Sequence, residues 1–597
     1  MKKLLSGNEA IARGAWESGV NVASGYPGTP STEIMENLST YEGLYCEWSV
    51  NEKVALEVAL GATVVGARAF CTMKLVGLNV AADPLFNAVY SGVKGGLVVL
   101  TADDPSRHSS QTEQDNRNYA RFARLPVLEP ANSQEAKDFV AEAFALSESF
   151  GTPVLYRTET RLSHSKSLVE LGDRVESPEP FVINRDLSYC ILPAYTRTRH
   201  AEVEARIRAI GDWAESWEGN RAEMRDPEVG IITCGVTYQY VREAAPEASV
   251  LKIGMPYPLP RNMIATFASQ VKKLYVVEEL DPFLEEQIRL MGIPIAGGKD
   301  LIPLENELNP RIVAAGLAKA AVTVNTSLLV DTPPPAQDLP PRPPTLCPGC
   351  GHRGVFVALN RIKAYVTGDI GCYTLGALPP FSALHSVICM GAGVSMAHGM
   401  DKALHEKMPE KAQAPVVGVV GDSTFFHSCI PEVLNTVWNN GTSVLVISDN
   451  RTTAMTGGQV TPGQGCALCG QESPHIDIAE LLRALKVPRV RKVDPYNLKE
   501  VEEALKEEIA APEASVIIAE APCVLEFKIK GVPYVVDPEA CTGCKRCLRV
   551  GCTALSLTAP PEGKDKEVVV IDPAFCTGCS ICAQMCRFEA ILPGGEN

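Results

Sequence analysis

The chain has 597 residues, 46% hydrophobic and 21% charged, so it exceeds what one core can organise and about three or four domains are expected. A formal net charge of -16 excludes nonspecific nucleic-acid binding, because phosphates would be repelled. No apolar run approaches the length that spans a bilayer, and the opening MKKLLSGNEA lacks a secretory hydrophobic region, which predicts a soluble cytoplasmic protein with no membrane partner.

Residues 1–170 alternate β-rich runs such as GGLVVLTA with longer helical patterns such as NEKVALEVALGATVVGARA, the rhythm of βαβ units on a parallel sheet. Beyond an acidic, Trp-bearing helical stretch near residues 200–220, VGIITCGVTYQYVREAA and KKLYVVEELDPFLEEQI again read as strand then helix. Residues 171–330 are therefore expected to form a second, smaller α/β domain. Within 331–344, seven prolines between Pro333 and Pro344 remove backbone donors and hold the chain extended as a connector. A third α/β domain, 345–528, carries the strands APVVGVVGDS and TSVLVISDN, and a cysteine-rich module, 529–597, closes the chain.

In the first domain, Glu52 opens a helical pattern, where an acid ordinarily interacts well with the helix dipole. In the third domain, Gly421, Asp422 and Ser423 follow a hydrophobic strand directly, and Asn450 follows the next strand twenty-eight residues beyond the aspartate. A Gly-Asp after one strand and an Asn after another is common in βα units. The pair is also similar to the thiamin-diphosphate motif, with Ser423 where that motif has glycine. Mg2+ prefers an octahedron of oxygens, which Asp422, Asn450, a backbone carbonyl assigned to Thr452 and two diphosphate oxygens would largely fill.

Twenty cysteines in an intracellular chain do not read as a disulfide framework, and eight of them fall in the last sixty residues. They form two runs, Cys541-x2-Cys544-x2-Cys547-x4-Cys552 and Cys576-x2-Cys579-x2-Cys582-x3-Cys586. Zinc also suits paired C-x2-C spacings, but the doubled triplets resemble the bacterial two-cluster ferredoxins. That resemblance implies two 4Fe-4S clusters with crossed fourth ligands, Cys541, Cys544, Cys547 and Cys586 on one, and Cys576, Cys579, Cys582 and Cys552 on the other. Thr553 and Arg587 stand where the pattern has proline, and the first run has one extra residue before its last cysteine.

YPGTPSTE, NEKVALE, ADDPSRHSSQTEQDNR, LCPGCGHRG, GDIGCYTLG, AMTGGQ and the tail together resemble the thiamin-diphosphate-dependent 2-oxoacid:ferredoxin oxidoreductases along essentially the whole chain. Within that family the chain looks like an alpha subunit of the indolepyruvate type. The resemblance implies a multidomain α/β fold: a pyrimidine-type thiamin-diphosphate-binding domain (1–170), a transketolase C-terminal-like domain (171–330), a diphosphate-type domain (345–528) and a two-cluster ferredoxin-like module (529–597). It implies oxidative decarboxylation of an aryl pyruvate, with coenzyme A as co-substrate, an external ferredoxin as electron acceptor, and a beta subunit completing an assembly of two alpha and two beta chains. By the same resemblance Glu52 protonates the thiamin pyrimidine, Thr29 touches the 2-oxoacid carboxylate, and Gly391 and Gly393 open a helix toward the diphosphate. It also implies a third 4Fe-4S cluster on Cys347, Cys350, Cys372 and Cys523, although free cysteines are often simply small buried hydrophobes. His352 is a candidate for the diphosphate or substrate, and Arg107 and His108 for a substrate or partner surface. Cys466 and Cys469 read as ordinary loop thiols. Two other functions fit parts of the sequence: an electron-transfer subunit on a decayed thiamin fold, with a non-aryl substrate for its complex, and a non-oxidative decarboxylase, which would have no use for the cysteine tail.

Overall fold

Apolar runs at the intervals expected of βαβ units pair into parallel sheets in the computed structural model, which describes residues 1–176, 187–330, 342–407, 414–560 and 565–595. Most of the expected proline connector, 331–341, lies outside the described residues. The chain divides into two units, Met1–Gln337 and Asp338–Asn597. No helix among the described residues is long and apolar enough to cross a membrane.

In the first unit, β1 (Val22–Gly25), β2 (Tyr45–Trp48), β3 (Ala69–Lys74), β4 (Leu97–Asp103), β5 (Val127–Leu128) and β6 (Val154–Glu159) form one parallel sheet in the order β2-β1-β3-β4-β6-β5. Every residue of β4 is buried, which is why LVVLTAD shows no polar alternation. Helix α1 (Glu52–Val64) starts where Asn51, in extended backbone, accepts from the Val54 amide at 2.9 Å. That cap fixes Glu52 in the first turn. Helix α2 (Leu75–Val80) leaves β3 without an intervening loop.

A second sheet in this unit has β7 (Arg221–Glu223), β8 (Asp226–Cys234), β9 (Ala248–Ile253) and β10 (Lys273–Val277) in the order β10-β8-β9-β7, parallel except for β7. Much of ADDPSRHSSQTEQDNR serves the joint between the two sheets. Arg117 is fully buried, pairs with Asp115, and reaches Glu278 at 2.9 Å and the Glu279 carbonyl at 2.8 Å. Arg157 on β6, also fully buried, holds Asp103 at 2.7 Å, Glu129 at 2.6 Å and Glu159 at 2.8 Å. Arg107 and His108 are exposed and lie against Asn306 and Glu307, both at 3.3 Å.

In the second unit, β11 (Tyr365–Gly368), β12 (Ser386–Val387), β13 (Val416–Gly421), β14 (Val444–Asp449), β15 (Arg489–Val493) and β16 (Ser515–Glu520) form an all-parallel sheet ordered β12-β11-β13-β14-β16-β15. Helix α3 (His352–Ile362) packs with this sheet, and α4 (Ala392–Asp401) begins just past Gly391. The tail adds two antiparallel ribbons, β17 (Tyr534–Val536) with β20 (Ile591–Pro593) and β18 (Leu555–Thr558) with β19 (Val568–Ile571). Val550 and Ile581 of the tail are buried in the same core as Val355, Phe356 and Val417, with Cys350, Cys552, Cys579 and Cys582 packed against it. The cysteine module therefore shares its apolar interior with the third sheet.

Candidate functional site

Open α/β sheets bind ligands at the carboxyl ends of their strands, and Asp422 stands directly past β13. It is 2% exposed, and its Oδ2 is buried without a hydrogen-bond partner. Burial, and then the nearby Asp449, push its carboxyl well above the ordinary carboxylate range, while the Asn450 amide facing it works the other way. A buried carboxyl oxygen without a hydrogen-bond partner needs compensation, and the oxygen donors gathered here fit a divalent metal that would hold the carboxyl ionised. Asn450 lies just past β14, its Oδ1 3.3 Å from the Thr452 amide. Thr452 is buried and its hydroxyl donates to the Gln459 carbonyl at 3.2 Å, and Ser423 meets the Thr453 hydroxyl at 2.8 Å. A polar cavity of about 250 Å³ borders the site, lined by Asp422, Asp449, Arg451, His475, Lys492 and Glu520 among others.

Asp369, just past β11, repeats the Gly-Asp arrangement of β13 one strand away. It accepts from the Gly391 amide at 3.0 Å and from the Tyr373 hydroxyl, and burial pushes it up to about 7. The glycines at the start of α4 thus have a carboxyl beside them in addition to their expected role toward a diphosphate. His352 is buried edge-on against Tyr373 at 6.0 Å between ring centroids, and burial with Arg353 lowers it to about 4, so it is neutral near pH 7.

In the first unit, Glu52 is 6% exposed and its carboxylate lies against α2, where a Cβ on Gly77 would come within 2.7 Å of Oε1. Thr29 is half-buried, and its carbonyl accepts from the Ser109 hydroxyl at 3.2 Å. Both expected residues of this domain sit around the carboxyl end of its sheet.

Twelve of the twenty cysteines fall into three sets. Cys541, Cys544, Cys547 and Cys586 line one cavity with Lys545, Arg546 and Phe588. Burial, then Cys586, Cys544 and Cys541, push Cys547 up to about 11. Burial, then Cys579, Cys552 and Cys576, push Cys582 up to about 12. Each fourth cysteine is thus grouped with the opposite run. Cys372 is pushed up to about 11 by burial, then by Cys523 and Cys347, with Asp422 adding to the effect. Cys350 rises to about 12 through burial, with Cys372 and Cys347 contributing. Cys347, Cys350, Cys372 and Cys523 form one neighbourhood, and the Cys523 amide donates to the Asn450 carbonyl at 3.0 Å. Among the described residues, no three His, Cys, Asp or Glu side chains are placed to hold a single metal ion.

Two residues given no role in the sequence reading join these sets. Arg353 is 1% exposed and donates to the Cys347 carbonyl at 3.1 Å, to the Leu346 carbonyl, and to the Val550 carbonyl in the tail at 2.7 Å. The Tyr496 hydroxyl donates to the Gly349 carbonyl at 2.7 Å, and Cys350, Cys579 and Cys523 all act on it after burial. Asp369 did have a signal, since TGDIGC is a second Gly-Asp at a strand end.

Residues 13–208 match the family described as "Pyruvate flavodoxin/ferredoxin oxidoreductase, thiamine diP-bdg", 369–519 the "Thiamine pyrophosphate enzyme, C-terminal TPP binding domain", and 569–592 the "4Fe-4S binding domain". "Indolepyruvate oxidoreductase subunit IorA" of Archaeoglobus fulgidus is 42% identical over 100% of this chain and 98% of its own. Its counterpart in Methanothermobacter thermautotrophicus is 41% identical over 93% and 92%. The "2-oxoglutarate synthase subunit KorA" of the latter organism is more distant, at 25% over 46% of this chain and 86% of its own. With 42% identity sustained from end to end, the chain belongs to the family of indolepyruvate oxidoreductase subunits IorA.

Proposed function

We propose that the chain is the catalytic alpha subunit of an oxidoreductase that decarboxylates aryl pyruvates, indolepyruvate foremost, releasing an aryl-acetyl coenzyme A and reducing an external ferredoxin. A beta subunit completes it, in an assembly of two alpha and two beta chains. Thiamin diphosphate, when bound, supplies an electron sink for the pair left as carbon dioxide departs. Asp422, Asn450 and the Thr452 carbonyl hold Mg2+, and the Asp422 oxygen without a partner supports this role. Gly391, Gly393, Ser423 and His352 are the candidates near the diphosphate. Glu52, buried in the first turn of α1, is the acid toward the pyrimidine, and Thr29 is the contact for the substrate carboxylate.

The observation that carries this reading is the continuity of the cysteine sets. The Cys523 amide donates to the Asn450 carbonyl at 3.0 Å, the Tyr496 hydroxyl donates to the Gly349 carbonyl at 2.7 Å, and Cys350, Cys552, Cys579 and Cys582 pack against one core. Cys347, Cys350, Cys372 and Cys523 would hold a third 4Fe-4S cluster and Cys552, Cys576, Cys579 and Cys582 a second, each of which would supply one-electron redox chemistry when bound. Cys541, Cys544, Cys547 and Cys586 would hold another. The test is anaerobic co-expression with the beta subunit, iron analysis, and coenzyme A-dependent viologen reduction with a panel of 2-oxoacids. We expect reduction with aryl pyruvates and about twelve irons per alpha chain. Activity with non-aryl acids alone would overturn the substrate, and about eight irons the third cluster.

A further inference from the structure

The corner that holds Glu52 and Thr29 contains a cation with no role so far. Lys74 ends β3 and directly precedes α2, so it stands at the carboxyl end of a central parallel strand whose other residues are all buried. Its aliphatic stem crosses the GYPGTPS loop at Gly28, where any added Cβ would lie 2.7 Å from the Lys74 Cβ. Its ammonium donates to the Ser109 carbonyl, and the Ser109 hydroxyl donates to the Thr29 carbonyl. Three residues on, Gly77 of the same helix abuts Glu52.

The electrostatics around this lysine are incomplete. Burial pulls its pKa down to about 8, with Asp104 opposing. Asp104 is itself satisfied by neutral donors, the Ser109 amide at 2.8 Å, the Ser110 hydroxyl at 2.6 Å and the Thr160 hydroxyl at 2.7 Å. Among the described residues, no carboxylate closes to ion-pair distance on Lys74. A half-buried cation without a contact anion, at the carboxyl end of a parallel strand, points to a ligand that brings one. Every 2-oxoacid carries such an anion, whatever its side chain.

We propose that Lys74 receives the carboxylate of the 2-oxoacid as a charge-assisted pair and, with Thr29, orients it before decarboxylation. This rests on the reading of the chain as a 2-oxoacid oxidoreductase. Lys74 is a positioning residue and forms no covalent bond.

The test uses the co-expressed complex with Lys74→Met and Lys74→Arg. Kinetics with aryl pyruvate are paired with binding of a 3-arylpropanoate and its primary amide, followed by thermal shift. Lys74→Met is expected to raise KM about tenfold to a hundredfold with a smaller change in kcat, the effect of one charge-assisted bond. The same variant should bind carboxylate and amide alike, whereas wild type and Lys74→Arg prefer the carboxylate. It should also unfold at a higher temperature than wild type, since it removes a desolvated charge, whereas a purely structural lysine would lower that midpoint. An undiminished preference for the carboxylate in Lys74→Met would overturn the assignment. If wild type turns over no 2-oxoacid, the functional reading fails, and the carboxylate-to-amide comparison still decides Lys74.

Discussion

Two side chains at strand ends, the buried Asp422 and the half-buried Lys74, are desolvated at a cost that a bound partner would offset. The oxygen of Asp422 lacks a donor, and the ammonium of Lys74 lacks a contact anion. The proton equilibrium of Lys74 has a measurable consequence. Folded, it releases its proton near pH 8, and unfolded near 10.5, so the unfolded chain binds more protons between those values. Stability therefore rises as pH climbs through that window, by about 3 kcal/mol at ~1.4 kcal/mol per pKa unit, and is lost again as pH falls to 8. In thermal unfolding, Lys74→Met is expected to exceed wild type at pH 7.5 and to lose that advantage at pH 10. A variant less stable than wild type at pH 7.5 would contradict the burial penalty.

At the scale of elements, the start of α3 is the joint between the third sheet and the tail. Arg353 there binds carbonyls on both sides, and its replacement by Met would leave the Leu346, Cys347 and Val550 carbonyls without their donor in a buried setting. The expected cost is about 3 kcal/mol, with slower electron transfer into the tail clusters, read as a drop in viologen reduction that exceeds any loss of bound thiamin diphosphate. Equal losses of both would place Arg353 outside the electron path. The alternation of strands and helices, the Asp422 and Asn450 positions and the cysteine runs were legible because each is a local spacing set by backbone period or ligand geometry. Arg353 was not, because its acceptors lie 6 and 197 residues away and nothing beside CGHR announces them. The motif ADDPSRHSSQTEQDNR was legible as a mark of the family but not as a structural joint. Its Arg117 finds Glu278 161 residues downstream.

At the scale of the whole molecule, the tail that shares a core with the third sheet suits an electron-delivering enzyme more than an independent carrier. The tail keeps small apolar clusters of its own around Val568 and Val569, yet its Val550 and Ile581 are buried with Phe356 and Val417. Fixed positions favour transfer between cysteine sets without waiting for a collision. The most direct measurement mixes the anaerobic, ferredoxin-free complex with indolepyruvate and coenzyme A and follows the visible iron-sulfur absorbance alongside carbon dioxide release. Bleaching of the clusters in step with carbon dioxide is the expected result. Carbon dioxide released while the clusters stay oxidised would contradict the account.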